Sequence, residues 1–321
     1  MKVTIFPIVM NNNIEPLFRG FIFCFSYVMI LSEGRKMRKQ IFIVSQQGVE
    51  PEYLRCVKEA AEEFMSMFPQ YKDDYPIRLL GQWRDRDYKV DRMGYSRLPP
   101  EEKRKCILMT TGEYMRPYKS TDWAMAEAKR SAYYAGRSNQ IDAMKLLDLM
   151  NEDPTVSSIP QININIVKDD AVVVDENGRP NNFVYGMGRG DSGLVLSLKR
   201  LKDRYGHNPE YLKEVIKTLT IHELGHVFSA TRDGRHNVAN RDGYGAHCDC
   251  PDCVMRTDSR ADSKKLTDDR LRRKREGKPP LCPECISSAE VTFAYLRGNS
   301  QELDGAIKKF NYIKDRSETY S

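Results

Sequence analysis

Two histidines separated by three residues constrain this chain more than any other feature of its sequence. In the run His222-Glu223-Leu224-Gly225-His226, a helix places both imidazoles on one face, where they can bind a zinc ion. The Glu223 carboxylate then lies within reach of a water on that zinc. The same run also occurs by chance in ordinary helices, as two surface histidines beside a glutamate. Alone, it only suggests a zinc peptidase, and the residues that follow distinguish the two interpretations.

A third histidine and a set of cysteines follow in an order that ordinary surface chemistry does not produce. The sequence continues with His247, Cys248, Cys250, Cys253, Met255, Cys282 and Cys285. Imidazole nitrogen and thiolate sulfur are the ligands that zinc binds most often in proteins. Four thiolates leave zinc no open position, so such a site is structural. The sequence therefore predicts a catalytic metal site and a separate structural one.

On these residues the chain resembles the archaemetzincins, a family of metzincin-type zinc metallopeptidases. The family pattern is HExxHxxGxxH, a Cys directly after the third His, four residues, Cys-x-Met, a spacer and CxxC. The matching positions are residues 222–226, His247, Cys248, Cys253, Met255, Cys282 and Cys285. Residues 182–186 and 194–198 are similar to the family's strands before the active-site helix. The resemblance extends from about residue 37 to residue 285.

The resemblance implies a fold, a cofactor and a role for each matching residue. The fold is α/β (α+β), a zincin or metzincin-like mixed sheet with an HExxH active-site helix and a four-cysteine zinc element. The cofactor is zinc, with two ions per chain. The implied catalytic ligands are His222, His226 and His247, with Glu223 as the catalytic residue; the implied structural ligands are Cys248, Cys253, Cys282 and Cys285, with Met255 in the Met-turn.

The chain departs from the family pattern after the second histidine. Ser229 stands where the family has a glycine, and the third histidine does not follow three residues later. A glycine there allows a left-handed turn at the helix end, so without it we expect the helix to continue and break near Gly234. His236 and His247 then compete as the third ligand. We favour His247, because Cys248 beside it begins the cysteine set.

The cysteines leave two alternatives open. Cys250 and Cys253 also form a CxxC, so Cys250 can replace Cys248 as a zinc ligand. A disulfide framework is the other interpretation, although clustered cysteines in a chain of this size favour metal binding in a reducing compartment. Cys24, Cys56 and Cys106 lie apart from one another and are interpreted as buried or free thiols.

The predicted function is zinc-dependent hydrolysis of peptide bonds, in which Glu223 assists attack by a zinc-bound water. The substrate is a peptide or protein, either a short peptide trimmed by an aminopeptidase or a chain cut internally. The alternative is a catalytically weak or inactive zinc-stabilised binding module for peptide or nucleic acid. We expect a cytoplasmic monomer that binds no membrane unless residues 17–31 anchor it.

Charge is concentrated in two segments. The formal net charge is +6, to which residues 256–280 contribute +5 and residues 1–40 contribute +4. The rest of the chain is therefore slightly acidic. Residues 256–280 contain no interleaved aromatics for base stacking, so we expect a solvated charged loop or helix and no nucleic-acid partner.

The predicted domain organisation is a single metallopeptidase domain over residues 37–299. Its catalytic helix covers about 209–230 and its structural zinc element covers 248–285. Residues 1–36 are either an upstream extension before a natural start at Met37 or a weak apolar anchor. Residues 300–321 are predicted to form a polar tail.

Apolar periodicity predicts the remaining elements. Strands are expected at residues 41–45, 77–82, 106–111 and 162–166, and helices at 51–67, 121–149 and 287–296, the second of which can break at Gly136. We interpret the glycine-rich residues 186–193 as a flexible turn. We expect residues 193–198 to form the edge strand that holds an extended peptide.

Overall fold

The computed structural model describes most of the chain from residue 40 onward. The described residues are 40–82, 88–90, 107–108, 114–116, 121–151, 161–175, 177–190, 192–232, 238–239, 246–256 and 263–318. All of them fall within one compact unit, Met37–Ser321. The predictions for residues 1–36, Cys24, Cys106, Gly234 and His236 lie outside these ranges. Within them, no helix is long and apolar enough to cross a membrane.

Thirteen strands occur in the described residues. They are β1 Gln40–Ser45, β2 Ile77–Gln82, β3 Tyr88–Val90, β4 Ile107–Leu108, β5 Tyr114–Arg116, β6 Gln140–Asp142, β7 Gln161–Val167, β8 Asp170–Val174, β9 Pro180–Val184, β10 Gly186–Arg189, β11 Gly193–Ser197, β12 Val238–Ala239 and β13 His247–Cys248. Five of them form the main sheet, in the order β10-β11-β7-β1-β2. Only β10, at one edge, runs antiparallel to its neighbour. The sheet is therefore mixed, as predicted.

Eight α-helices accompany these strands in the described part of the chain. They are α1 Pro51–Ser66, α2 Thr121–Tyr134, α3 Ala143–Asn151, α4 Lys199–Tyr205, α5 Pro209–Val227, α6 Ser263–Arg275, α7 Pro283–Arg297 and α8 Ser300–Glu318. The helix expected over residues 121–149 is divided by strand β6. Gly136, in the left-handed region at φ +78°, lies just after the end of α2, and the Asp142 carboxylate caps the start of α3.

Helices cover both faces of the main sheet. In α1, Leu54, Val57, Ala61 and Phe64 recur every three or four residues, so they form one apolar stripe. This stripe packs with α5 and the sheet in the larger core. Apolar residues of α2 and α3 form a second cluster with Val167 of β7 and Val195 of β11. Helix α5 is consequently held by a buried core along most of its length.

The basic segment 256–280 contains helix α6, and two arginines of this helix form ion pairs with acidic side chains. The side chain of Arg270 is fully buried and forms ion pairs with Glu63 and Glu214. Arg272 is paired with Asp252, at 2.6 Å, and with Asp269, at 3.0 Å. The expected solvated helix is therefore partly wrong, because this helix packs against the core through an arginine.

Loss of the Arg270 side chain should destabilise the protein. We expect Arg270→Met to lower the free energy of unfolding by about 3 kcal/mol, because the acids left behind lose their buried partner. Both acids are about one-quarter exposed, which places the effect at the lower end for such pairs. Urea unfolding measures it, with Arg275→Met, at an exposed position of the same helix, as the control. Equal stability of the two variants would contradict this account.

The predicted C-terminal tail is helical up to residue 318. Helix α8 packs beside α7, where Arg297 is paired with Glu302 at 3.0 Å and Lys309 with Glu290 at 2.5 Å. Leu303 also packs against the main core. The apolar positions of this segment are sparse, which is why its sequence pattern indicates a tail more than a helix.

Candidate metal centres

Helix α5 carries the first two histidines. Pro209 occupies its first turn, and the Asn208 side chain accepts a hydrogen bond from the Tyr211 N–H, so the helix begins where the sequence predicts. His222 and His226, four residues apart, share one face near its other end. Their Nε2 atoms lie 3.2 Å from each other. Two imidazole nitrogens thus face the same point.

His247 completes a cluster of three imidazoles. It lies in β13, which pairs with β12. Its ring centroid is 5.2 Å from that of His222 and 4.9 Å from that of His226. One ring nitrogen of each of the three histidines lies within 4.8 Å of the other two. His207 is exposed at the start of α5, away from this cluster.

The protonation state of these histidines suits a metal. The Nδ1 of His222 donates to the Val254 carbonyl at 2.8 Å, which leaves the Nε2 lone pair for the centre of the cluster. Burial, aided by His247, lowers the pKa of His222 to about 4. Burial also lowers the pKa of His226 well below its usual value. Neutral imidazoles are the form that binds zinc, so the residues fit that ion.

Glu223 is buried between the helix and the edge strand β10. Burial raises the pKa of its carboxyl to about 8, and the Gly188 N–H, which donates to it, opposes part of that rise. A Cβ on Gly186 would come within 2.8 Å of the Glu223 Oε1, and one on Gly188 would overlap the Glu223 carbonyl. Glycine at both positions therefore lets β10 lie directly against α5.

Residues 186–193 are thus not the flexible turn that the glycines suggested. Residues 186–189 form β10, the edge strand of the main sheet. The predicted edge strand, residues 193–198, contains β11, which lies inside the sheet between β10 and β7. The sequence did contain one indication of a strand: Gly186 and Gly188 are two residues apart, and alternate residues of a strand face the same side.

Helix α5 ends at Val227, and the prediction that it continues toward Gly234 is wrong. Ser229 adopts the left-handed conformation, with φ +53°. The Ala230 N–H donates to the Gly225 carbonyl and the Ser229 N–H to the His226 carbonyl, which is the Schellman arrangement of helix ends. The Ser288 hydroxyl also donates to the Ser229 carbonyl at 2.7 Å. These bonds hold a serine in a conformation that a glycine adopts without strain.

Ser229→Gly should therefore stabilise the protein. Relief of the left-handed strain outweighs the extra entropy of a glycine in the unfolded chain, and we expect a gain of about 0.5–1 kcal/mol. Ser229→Val should lower the free energy of unfolding by at least the same amount. Thermal unfolding provides the measurement. The control is Ser66→Gly, at the regular end of α1, which should lower the free energy of unfolding. If both glycine variants were more stable than the wild type, strain at Ser229 would not be the cause.

The cysteines form a second cluster. The Sγ atoms of Cys248, Cys253, Cys282 and Cys285 lie within 4.8 Å of one another, and all four residues are buried. The Cys248 Sγ lies 3.7 Å from the Cys282 Sγ, and the Cys253 Sγ lies 3.6 Å from the Cys285 Sγ. Tetrahedral zinc with Zn–S bonds of about 2.3 Å requires about 3.8 Å between sulfurs. The cluster therefore matches the size of a four-thiolate zinc site.

Two backbone hydrogen bonds at this cluster are directed at its sulfur atoms. The Cys250 N–H donates to the Cys248 Sγ at 3.4 Å, and the Cys282 N–H donates to the Cys253 Sγ at 3.3 Å. Burial raises the pKa of the Cys253 and Cys285 thiols well above their usual range, while hydrogen bonds from Cys248 and its neighbours lower the pKa of Cys282. Four thiolates so close together require a positive charge between them.

The structure separates the alternatives for the cysteines. Cys250 is partly exposed and lies outside the group of four, to which it contributes a backbone N–H. None of the six cysteines in the described residues, including the buried Cys56, forms a disulfide, so the disulfide framework is not formed among them. Cys248, not Cys250, is the fourth member of the cluster.

The two clusters share one stretch of backbone. Cys248 directly follows His247, and Cys253 directly precedes Val254, the residue that holds His222. The Cys248 N–H also donates to the Met255 carbonyl at 2.9 Å. Met255 is fully buried beneath α5, where a Cβ on Gly225 would overlap its Sδ. The cysteine cluster thus positions the segment that completes the histidine cluster.

Comparisons with known proteins add one structural likeness. No family model matches the chain, and no curated protein matches it. A solved structure similar to this chain is the crystal structure of archaemetzincin (amzA) from Methanopyrus kandleri at 1.5 Å resolution. The two share 18% sequence identity, with a TM-score of 0.41, over 81% of this chain and 98% of that one.

Proposed function

We propose that this protein is a zinc metallopeptidase that binds one zinc ion at the three histidines and a second at the four cysteines. The observation that carries the proposal is the convergence of His222, His226 and His247 ring nitrogens within 4.8 Å, beside the buried Glu223. Three histidine ligands leave zinc an open position, whereas four cysteines do not. The histidine site is therefore the catalytic one and the cysteine site the structural one.

The proposed reaction is hydrolysis of a peptide bond. Zinc held by the three imidazoles would lower the pKa of a bound water and would polarise the substrate carbonyl. Glu223 accepts a proton from the attacking water as the new C–O bond forms, and delivers it to the amine as the C–N bond breaks. The raised pKa of Glu223 suits a group that gains and loses a proton near neutral pH. The Gly188 N–H orients the carboxylate for both transfers.

The edge strand β10 supplies a place for the substrate. Among the described strands its one partner is β11, and it lies directly against Glu223. An extended peptide can pair with such an edge through backbone hydrogen bonds. Pairing there would carry a peptide bond past the catalytic residue. This geometry supports a peptide substrate, and the paired arginines of α6 argue against the nucleic-acid alternative.

Metal analysis and peptide cleavage test the proposal together. We expect about two zinc ions per chain in the wild type and about one in His247→Ala, measured by elemental analysis. His207→Ala, at the exposed histidine, should retain both ions. The zinc-loaded wild type should cleave members of a peptide library, and a chelator should stop it. One zinc in the wild type, lost only in Cys253→Ser, would mean that the histidines hold no metal and that the protein is a binding module.

A further inference from the structure

A cavity of about 490 Å³ lies beside the start of β10. Its lining includes Phe183 at the end of β9, Tyr185 between β9 and β10, and Arg200 on α4. The residues that line it comprise three cations and two acids, a net charge of +1. The proposed peptidase mechanism uses none of these side chains. The cavity is therefore a separate feature that adjoins the candidate catalytic site.

Arg200 is held rigidly in this cavity. Its Nε donates to both carboxylate oxygens of Asp170, at 2.8 and 3.0 Å. Its guanidinium lies over the Phe183 ring, 3.8 Å from the ring centroid, and Phe183 in turn packs edge-on against Tyr185. Among the described residues, the two Nη groups have no acceptor. The side chain is 40% exposed, so these donors remain accessible to a ligand.

We infer that this cavity binds a carboxylate of the peptide substrate, which accepts two parallel hydrogen bonds from the Arg200 Nη groups. A planar guanidinium matches a carboxylate in this geometry, and one already fixed by Asp170 and Phe183 loses little entropy on binding. The net charge of +1 suits a monoanion better than a phosphate dianion. The inference deepens the proposed function and rests on it.

The position of the cavity relates it to the scissile bond. Tyr185 directly precedes Gly186, whose backbone approaches the Glu223 carboxylate. Phe183 lies three residues before Gly186. Three residues span at most about 10 Å even when fully extended, so the backbone of Phe183 lies within about 10 Å of Gly186. The carboxylate should therefore belong to a residue within about four positions of the cleaved bond.

Two sources can supply this carboxylate, the C-terminus of a short peptide or an aspartate or glutamate side chain. Alanine-based acetylated hexapeptides distinguish them. One set carries Asp or Asn at each position in turn, with an amidated C-terminus. The other set has no acidic side chain and ends in either a free acid or an amide. Titration calorimetry with zinc-loaded Glu223→Gln protein measures binding without hydrolysis.

We expect one carboxylate peptide to bind about tenfold more tightly than its amide counterpart. Arg200→Gln, added to Glu223→Gln, should abolish this preference, and Arg200→Lys should remove most of it, because lysine lacks the bidentate fork. Lys202→Gln is the matched control. It removes one positive charge from the same helix, at a side chain paired with Glu50 at 2.6 Å outside the cavity, and should retain the preference.

Two results would overturn the inference: equal binding of every carboxylate and amide pair, or a preference that persists in a folded Arg200→Gln variant. Thermal unfolding establishes whether each variant is folded. Failure of the proposed function has a different signature, since the wild type would then cleave no peptide. A carboxylate preference that depends on Arg200 would still be measured in that case, as binding without turnover.

Discussion

Glu223→Gln is expected to lower peptidase kcat/KM by about 10²–10⁴-fold while both zinc ions are retained. Glutamine has nearly the same shape, so it fits between α5 and the glycines of β10. It cannot accept the proton of the attacking water, and general-base catalysis of this kind contributes an effect of that size. The metal ligands themselves are untouched. The loss should therefore appear in turnover and not in metal content.

Steady-state kinetics on the best peptide of the library, together with zinc analysis, measure this effect. The matched control is Glu210→Gln, at an exposed glutamate in the first turn of the same helix. It should cleave the peptide as the wild type does. Unchanged turnover in Glu223→Gln would remove the glutamate from the mechanism and favour the zinc-stabilised binding module.

Cys253→Ser is expected to disrupt both metal sites, although its side chain belongs to one. Zinc binding to structural sites contributes about 10–16 kcal/mol in zinc-finger peptides, as much as the whole stability of many domains. Without the cysteine site, Val254 and Met255 lose the anchor that places them beneath α5. His222 then loses the carbonyl that orients it. We expect less than one zinc per chain, no peptidase activity and a large fall in Tm.

Cys250→Ser is the matched control for that variant. Cys250 lies three residues earlier and contributes its backbone N–H to the cluster, which a serine retains. Both zinc ions, the activity and the Tm should remain close to those of the wild type. If Cys250→Ser lost the structural zinc and Cys253→Ser kept it, the assignment of the four ligands would have to change.

Several features could be predicted because they depend on neighbours in the sequence. Helical spacing alone places His222 and His226 on one face, and Pro209 after Asn208 marks the start of the helix. The buried strand at residues 162–166 follows from alternating isoleucines. The cysteine spacing indicates a metal site because thiolates so grouped have few other uses in a reducing compartment.

Other features depend on contacts that the local sequence does not reveal. Gly186 and Gly188 resemble a turn until β10 is placed against α5, where a side chain would overlap Glu223. Val254 orients His222 through its backbone carbonyl, so the identity of its side chain does not indicate this role. Arg200 belongs to a helix with no motif, and its geometry depends on Asp170 and Phe183 from other elements.

The sequence by itself determined the chemistry of this protein: histidines and a glutamate at helical spacing, and cysteines in pairs that thiophilic metals bind. Only the tertiary structure decided which of these side chains lie close together. It selected Cys248 over Cys250, brought His247 to the helix and held Ser229 in a left-handed turn. The physical reason is that ligand type and helical period are local properties. Convergence of ligands depends on packing between segments far apart in the chain.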